Sequence, residues 1–222
     1  MSYKNVCVAG GGVLGSQIAF QAAYCGFDVT IWLRSEGSIG RTQPKIDHVR
    51  EEYIAAIEGM ADGTGEWCPG IADSDKPFDK QAALDAVERA YGSLKLELDL
   101  AAAVADADLV IESMAEDTQA KIEFYQKLAP VLPAKTVVVT NSSTLLPSTF
   151  AKYTGRPEKY LSLHFANSIW KNNMTEVMAQ AHTDKRYFDE LVEFATQIRM
   201  LALPVNKEKN GYLLNSMLVP WL

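Results

Sequence analysis

The sequence predicts an α/β domain built on a doubly wound, mostly parallel sheet with an inserted helical pair. Three observations predict it. Short apolar runs alternate with helical patterns along most of the 222 residues. The first apolar run stops at three glycines and leads into a helix. Hydrophobic residues make up 48 % and charged residues 22 % of the chain, an ordinary globular balance.

In order, Val6-Cys7-Val8-Ala9 is a short buried strand. Val13 to Tyr24 carries apolar residues at helical spacing, and Gly26 closes it. Val29 to Leu33 is a second buried strand. Arg41 to Met60 reads as a long amphipathic helix with Ile46, Val49, Tyr53, Ile57 and Met60 along one face. Ala61 to Pro77 is a polar loop rich in Gly and Asp, and a helix follows at about Asp79 to Tyr91. This pair, 41–91, is an excursion from the sheet and not a separate domain. Leu94, Leu96 and Leu98 then alternate as on a strand. Leu109-Val110-Ile111 and Thr136 to Val139 are buried strands around a helix near Lys121 to Ala129. Tyr160 to Leu163 is another strand, and Val177 is central to the next. Asp184 to Met200 is a charged amphipathic helix, and Leu201 to Val205 a last strand. The domain is expected to span 1–206. Tyr212-Leu213-Leu214 and Met217-Leu218-Val219 begin an apolar helix that needs a partner surface. Residues 207–222 are therefore expected to be the first helix of a truncated all-α C-terminal domain.

The net charge of −7 argues against a nucleic-acid surface. Met1 to Asn5 lacks a signal pattern, and no apolar stretch reaches the ~18 residues of a membrane span. Cys7, Cys25 and Cys68 form no Cys-x-x-Cys pair and read as buried, reduced thiols of a cytoplasmic protein. No metal site is expected, since His48 and His182 have no partners at ligand spacing.

Gly10-Gly11-Gly12-Val13-Leu14-Gly15 fits G-x-G-x-x-G in its strand–turn–helix context. Gly10 permits the tight turn, Gly12 clears the approach of a pyrophosphate, and Gly15 lets helix and strand pack closely. The helix start at Val13 and Leu14 offers free N–H groups to phosphates. This is a Rossmann-type dinucleotide site. The acid that would hold a ribose 2′-OH about 20 residues on is absent; the strand ends Trp32-Leu33-Arg34-Ser35. Arginine clamps a 2′-phosphate and serine donates to one, which favours NADP(H) without excluding NAD(H). In the alternative, Arg34 stacks on the adenine or faces solvent, and Glu36 holds the ribose.

Further on, Thr140-Asn141-Ser142-Ser143-Thr144 and Leu163-His164-Phe165-Ala166-Asn167 each follow a strand. Strand C-terminal ends line the ligand crevice in such sheets. Oxidising a secondary alcohol requires removal of its O–H proton as hydride leaves carbon, and imidazole exchanges protons near neutral pH. A carboxylate such as Glu176 would fix the tautomer, and Ser143 and Asn215 could hold the substrate oxygen. Spacing alone leaves other readings open: His164 as a hydrogen-bonded core residue, Glu176 as a surface charge, Ser143 as the cap of a helix near Pro147.

GGGVLG, NSST, LHFAN, the Glu twelve residues beyond that His and GYLLNSMLVP together resemble the 3-hydroxyacyl-CoA dehydrogenase family over essentially the whole chain. The resemblance implies His164 as catalytic base, Glu176 as its partner, and Ser143 and Asn215 on the substrate oxygen. It implies Glu116 and Lys121, with Asn141, near the nicotinamide side of the cofactor. The chain departs from the family pattern at Ser168-Ile169-Trp170, where the family often has proline, and at Leu33-Arg34. It also lacks an obvious basic cluster for coenzyme A phosphates, and it looks nearest a diketoreductase-like branch. The expected substrate is a 3-hydroxyacyl-CoA, a small β-keto ester or a diketo acid. The family implies a helical domain that closes the cleft and forms a homodimer, so this chain is expected to bind cofactor yet turn over poorly. A non-catalytic dinucleotide-binding or structural protein derived from the family is the alternative. Tyr91-Gly92-Ser93-Leu94-Lys95 fits the Tyr-x-x-x-Lys of short-chain dehydrogenases, but it lies before the third main strand and position 78 is Phe78, not serine.

Overall fold

A computed structural model describes residues 3–213. Eight strands form one sheet: β1 (Asn5–Ala9), β2 (Asp28–Trp32), β3 (Lys95–Glu97), β4 (Leu109–Glu112), β5 (Val137–Thr140), β6 (Tyr160–Phe165), β7 (Met174–Met178) and β8 (Leu201–Val205). Their order across the sheet is β3-β2-β1-β4-β5-β6-β7-β8. Every pairing is parallel except β6 with β7. Chain connections leave β1 toward one edge and β4 toward the other. The crevice at a doubly wound switch point therefore opens above the C-terminal ends of β1 and β4.

The central strands are apolar throughout because both faces are covered. Side chains alternate between the faces. Val6, Val8, Leu109, Ile111, Val137 and Val139 enter one core, while Cys7, Val110 and Val138 enter the other. The first face is covered by α1 (Val13–Tyr24), α2 (Glu36–Asp62), α3 (Lys80–Ser93) and α6 (Lys185–Gln197). The second is covered by α4 (Leu100–Val104) and α5 (Thr118–Leu128) with short 3-10 turns over 147–153. Asp79, Asp99, Asp117 and Asp184 cap α3, α4, α5 and α6 through side-chain bonds to backbone N–H groups.

The helical excursion packs α2 and α3 on each other and on α1, and its apolar stripe joins the sheet's own core. Ile46, Val49, Tyr53, Ile57 and Met60 are all buried. α2 (Glu36–Asp62) begins at Glu36, before Arg41, where the sequence places its start. Gly37, Gly40 and Pro44 weaken its first turns as helix formers. Contact with the glycine turn holds those turns in place, as described below. Cys7 and Cys68 are buried, but Cys25 caps α1 and is only half-buried; all three thiols are free. Residues 206–213 run as bends and turns, with Tyr212 buried against Met178 and Val205. The remainder of the apolar helix expected over 207–222, Asn215 included, lies outside the described residues. Among the described residues no helix is long and apolar enough to cross a membrane, and no metal-ligating cluster occurs.

Candidate active site

The glycine turn sits at the switch point. Gly10 has φ +120°, a conformation open to glycine. A Cβ on Gly10 would stand 2.5 Å from the Ser113 carbonyl oxygen, so β1 and β4 close together only over a bare backbone. A Cβ on Gly15 would stand 2.1 Å from the Gly10 carbonyl oxygen. A Cβ on Gly12 would meet nothing within 4 Å; it would project into open groove, the space a pyrophosphate needs. No side chain caps α1, and its first turn carries no acid. Its leading N–H groups, at Val13 and Leu14, are left for an anion.

Two cavities meet over this turn and share Gly12, Ser113, Met114 and Ala115. The smaller, about 370 Å³, opens toward β2 and α2 and includes Arg34. The larger, about 770 Å³, runs past Glu116, Asn141 and Ser143 to His164 and Asn167. Ser35, the N-cap of α2, lines neither cavity; its Oγ lies 3.1 Å from that of Ser38, which does line the smaller one. Glu36 is exposed and lines neither.

The spacing of His164 and Glu176 is the register of a strand pair. β6 and β7 are antiparallel with His164 directly opposite Glu176, and such partners share a face. His164 Nδ1 lies 2.9 Å from Glu176 Oε2, with both residues buried. Beside an ionised carboxylate, Nδ1 carries the proton and donates it. Nε2 has no hydrogen-bond partner among the described residues, and the imidazole lines the larger cavity. The other Glu176 oxygen accepts the Leu213 N–H at 2.6 Å, and the Tyr212 ring rests 5.0 Å from the imidazole. The segment after β8 thus clamps the pair from behind.

Asn141 ties strand ends together. Its N–H donates to the Glu112 carbonyl, its Oδ1 accepts the Phe165 N–H at 3.0 Å, and its Nδ2 reaches Ser113 Oγ at 3.3 Å. Ser143 sits in the same loop on the cavity wall. It does not cap the turn at Pro147, whose N-cap is Leu146. Glu116 organises that loop. Its Oε1 accepts from the Ser142 hydroxyl, from Thr144 Oγ1 at 2.8 Å and from the Thr144 N–H at 3.1 Å. Partial burial alone would raise this carboxyl. The Ser142 and Thr144 bonds and the Lys121 ammonium outweigh it and hold the group at about 2.

Lys121 lines neither cavity. It is buried and donates to Glu112 Oε1 at 2.6 Å, with Glu116 Oε2 at 3.5 Å. Glu112, which sequence reasoning missed, also accepts from Tyr125 OH, Thr140 Oγ1 and the Met114 N–H at 2.7–3.0 Å. Its only signal was an acid closing an apolar strand. Arg41 and Lys45 were also missed; both line the smaller cavity, and their Arg-x-x-x-Lys spacing was the available signal.

The family described as 3-hydroxyacyl-CoA dehydrogenase, NAD binding domain, matches residues 5–209. The chain is 29 % identical to rat mitochondrial hydroxyacyl-coenzyme A dehydrogenase over 220 residues, 99 % of this chain and 64 % of that protein. It is 26 % identical to 3-hydroxybutyryl-CoA dehydrogenase of Clostridioides difficile, covering 98 % of this chain and 69 % of that one. A solved diketoreductase structure, described for its catalysis on dicarbonyl compounds, is 41 % identical with a TM-score of 0.79, covering 99 % and 70 %. The chain thus spans just under two thirds of the rat relative's length. By the match over its sheet, turn and His–Glu strand pair, the chain belongs to the 3-hydroxyacyl-CoA dehydrogenase family and carries that family's NAD-binding domain.

Proposed function

We propose that the protein transfers hydride between NAD(P) and a 3-hydroxy/3-keto substrate, with His164 as general acid/base. The supporting observation is the His164–Glu176 pair on the wall of a cavity that begins at the glycine turn. Gly10, Gly12, Gly15 and the start of α1 would hold the pyrophosphate. Asn141 and Glu116 would face the nicotinamide side, with Lys121 acting through Glu116. Arg34, in the place of an acid at the end of β2, favours NADP(H). When bound, the nicotinamide supplies the two-electron hydride acceptor or donor.

The chain's own part is proton transfer and orientation. Glu176 engages Nδ1–H and leaves the Nε2 lone pair facing the cavity. Nε2 takes the O–H proton as the carbinol carbon loses hydride, and Nε2–H returns it in the reverse direction. Glu176 stabilises the imidazolium formed between. Ser143, and Asn215 beyond the described residues, would donate to the substrate oxygen.

A small dicarbonyl or β-keto ester is the favoured substrate over an acyl-CoA. The relative at 41 % identity acts on dicarbonyl compounds. Within the helical pair, Arg50 is already engaged by Glu88 at 3.0 Å. Three free thiols suit the cytoplasm, and a homodimer is the expected assembly, checked by sedimentation. The test follows reduced nicotinamide consumption with a β-keto ester, a diketo acid and acetoacetyl-CoA. Faster reduction of the first two supports the reading. Binding of dinucleotide without turnover of any would leave a non-catalytic binding protein.

A further inference from the structure

The smaller cavity has an apolar slot and a cationic rim. Trp32, Leu33 and Ala120 line the slot. Trp32 is held by a 3.1 Å bond from its indole N–H to the Leu98 carbonyl and by stacking on Phe124 at 5.3 Å. The rim carries Arg34, Arg41 and Lys45 with the Ser38 hydroxyl, and no acid lines the cavity.

These cations are set there by the fold. The Thr42 hydroxyl donates to the Gly11 carbonyl at 3.1 Å, and a Cβ on Gly11 would stand 2.2 Å from Thr42 Oγ1. That contact docks the first turns of α2 on the phosphate turn. It carries Arg41 and Lys45, one residue before and three after Thr42, to the cavity edge. The Arg41 guanidinium donates to Ser38 Oγ at 3.0 Å. The Lys45 ammonium donates to the Arg41 carbonyl.

Two cations four apart on a helix repel, a local cost. Among the described residues, none of the three has a carboxylate partner. Some exposed basic residues elsewhere pair with acids, as Arg50 does with Glu88 and Lys185 with Asp189, and others do not; here three that do not converge on one cavity. Three unpaired cations and a hydroxyl at the end of β2, above an apolar slot, match an anion on the adenosine end of a dinucleotide.

We propose that Arg34, Arg41 and Lys45, with the Ser38 hydroxyl, form a subsite for the ribose 2′-phosphate, and that Arg41 and Lys45 of α2 contribute to cofactor selection alongside Arg34. This rests on the reading of the two cavities as a dinucleotide site. Guanidinium groups bind the phosphate oxygens through charge-assisted bonds, and the ammonium adds a point charge.

The test is binding, read by titration calorimetry with NADP⁺, NAD⁺, 2′,5′-ADP and 5′-AMP, independent of turnover. NADP⁺ should bind at least about tenfold tighter than NAD⁺, and 2′,5′-ADP tighter than 5′-AMP by a like factor. Arg34→Ala and Arg41→Ala should each lower the NADP⁺-to-NAD⁺ affinity ratio by about tenfold, and Lys45→Ala by less. Added salt should weaken NADP⁺ more than NAD⁺. Circular dichroism confirms that each variant is folded. NAD⁺ binding as tightly as NADP⁺, or a ratio unmoved by Arg41→Ala and Lys45→Ala, overturns the subsite and leaves the dinucleotide reading intact. Binding of neither dinucleotide overturns the reading itself.

Discussion

Among the described residues two carboxylates, Glu112 and Glu176, are wholly buried, and they differ in the partners they meet. Glu112 closes β4 and meets an ammonium, two hydroxyls and a backbone N–H. All its bonding capacity is taken up inside the protein, and neither it nor Lys121 lines a cavity. Glu176 in β7 meets an imidazole that lines a cavity. A buried charge must be compensated in either case. A lysine compensates permanently and makes a structural post. A histidine compensates only when protonated, so under the proposed function the same buried charge would serve to hold and release a proton.

The sharpest way to break this contrast is Lys121→Met. It strands the Glu112 carboxylate and should cost about 3–5 kcal/mol of stability. Thermal and denaturant unfolding would show it; an unchanged melting temperature would mean that Glu112 is not charged. Glu176→Gln should do the reverse. Turnover should fall at least about tenfold as the imidazolium loses its counter-charge, with dinucleotide affinity retained. A variant that melts early but turns over normally when folded would make Glu176 a second structural post.

A smaller effect concerns Glu116, whose carboxyl is lowered from 4.5 to about 2. Its contribution to holding the Ser142–Thr144 loop is complete above its ordinary range and lost as pH falls from about 4.5 through about 2. Melting temperatures of wild type and Glu116→Gln should differ by a constant amount above that window and converge within it. A gap that persists at pH 2 would remove the charge from the explanation.

The His164–Glu176 pair was legible through the family resemblance, since spacing alone left other readings open; β6, its connection and β7 turn the twelve-residue separation into a contact. The glycine turn was legible as a local pattern, as were the apolar stripe of α2 and last strand Leu201–Val205. The buried post was not. Glu112 hides at the end of an apolar strand, and Lys121 looks like a solvated residue at a helix start until α5 packs against the sheet. The start of α2 was hidden too, since Gly37, Gly40 and Pro44 speak against helix, while the Thr42–Gly11 contact that overrides them is 31 residues apart in sequence. α4, five residues long, has no periodicity to read.

The central claim is that His164 moves the proton. Turnover of His164→Ala with reduced nicotinamide and a β-keto ester, measured beside its dinucleotide affinity, tests it most directly. The account predicts a fall of about 10²–10⁴-fold in rate with affinity unchanged. A rate equal to wild type would contradict it.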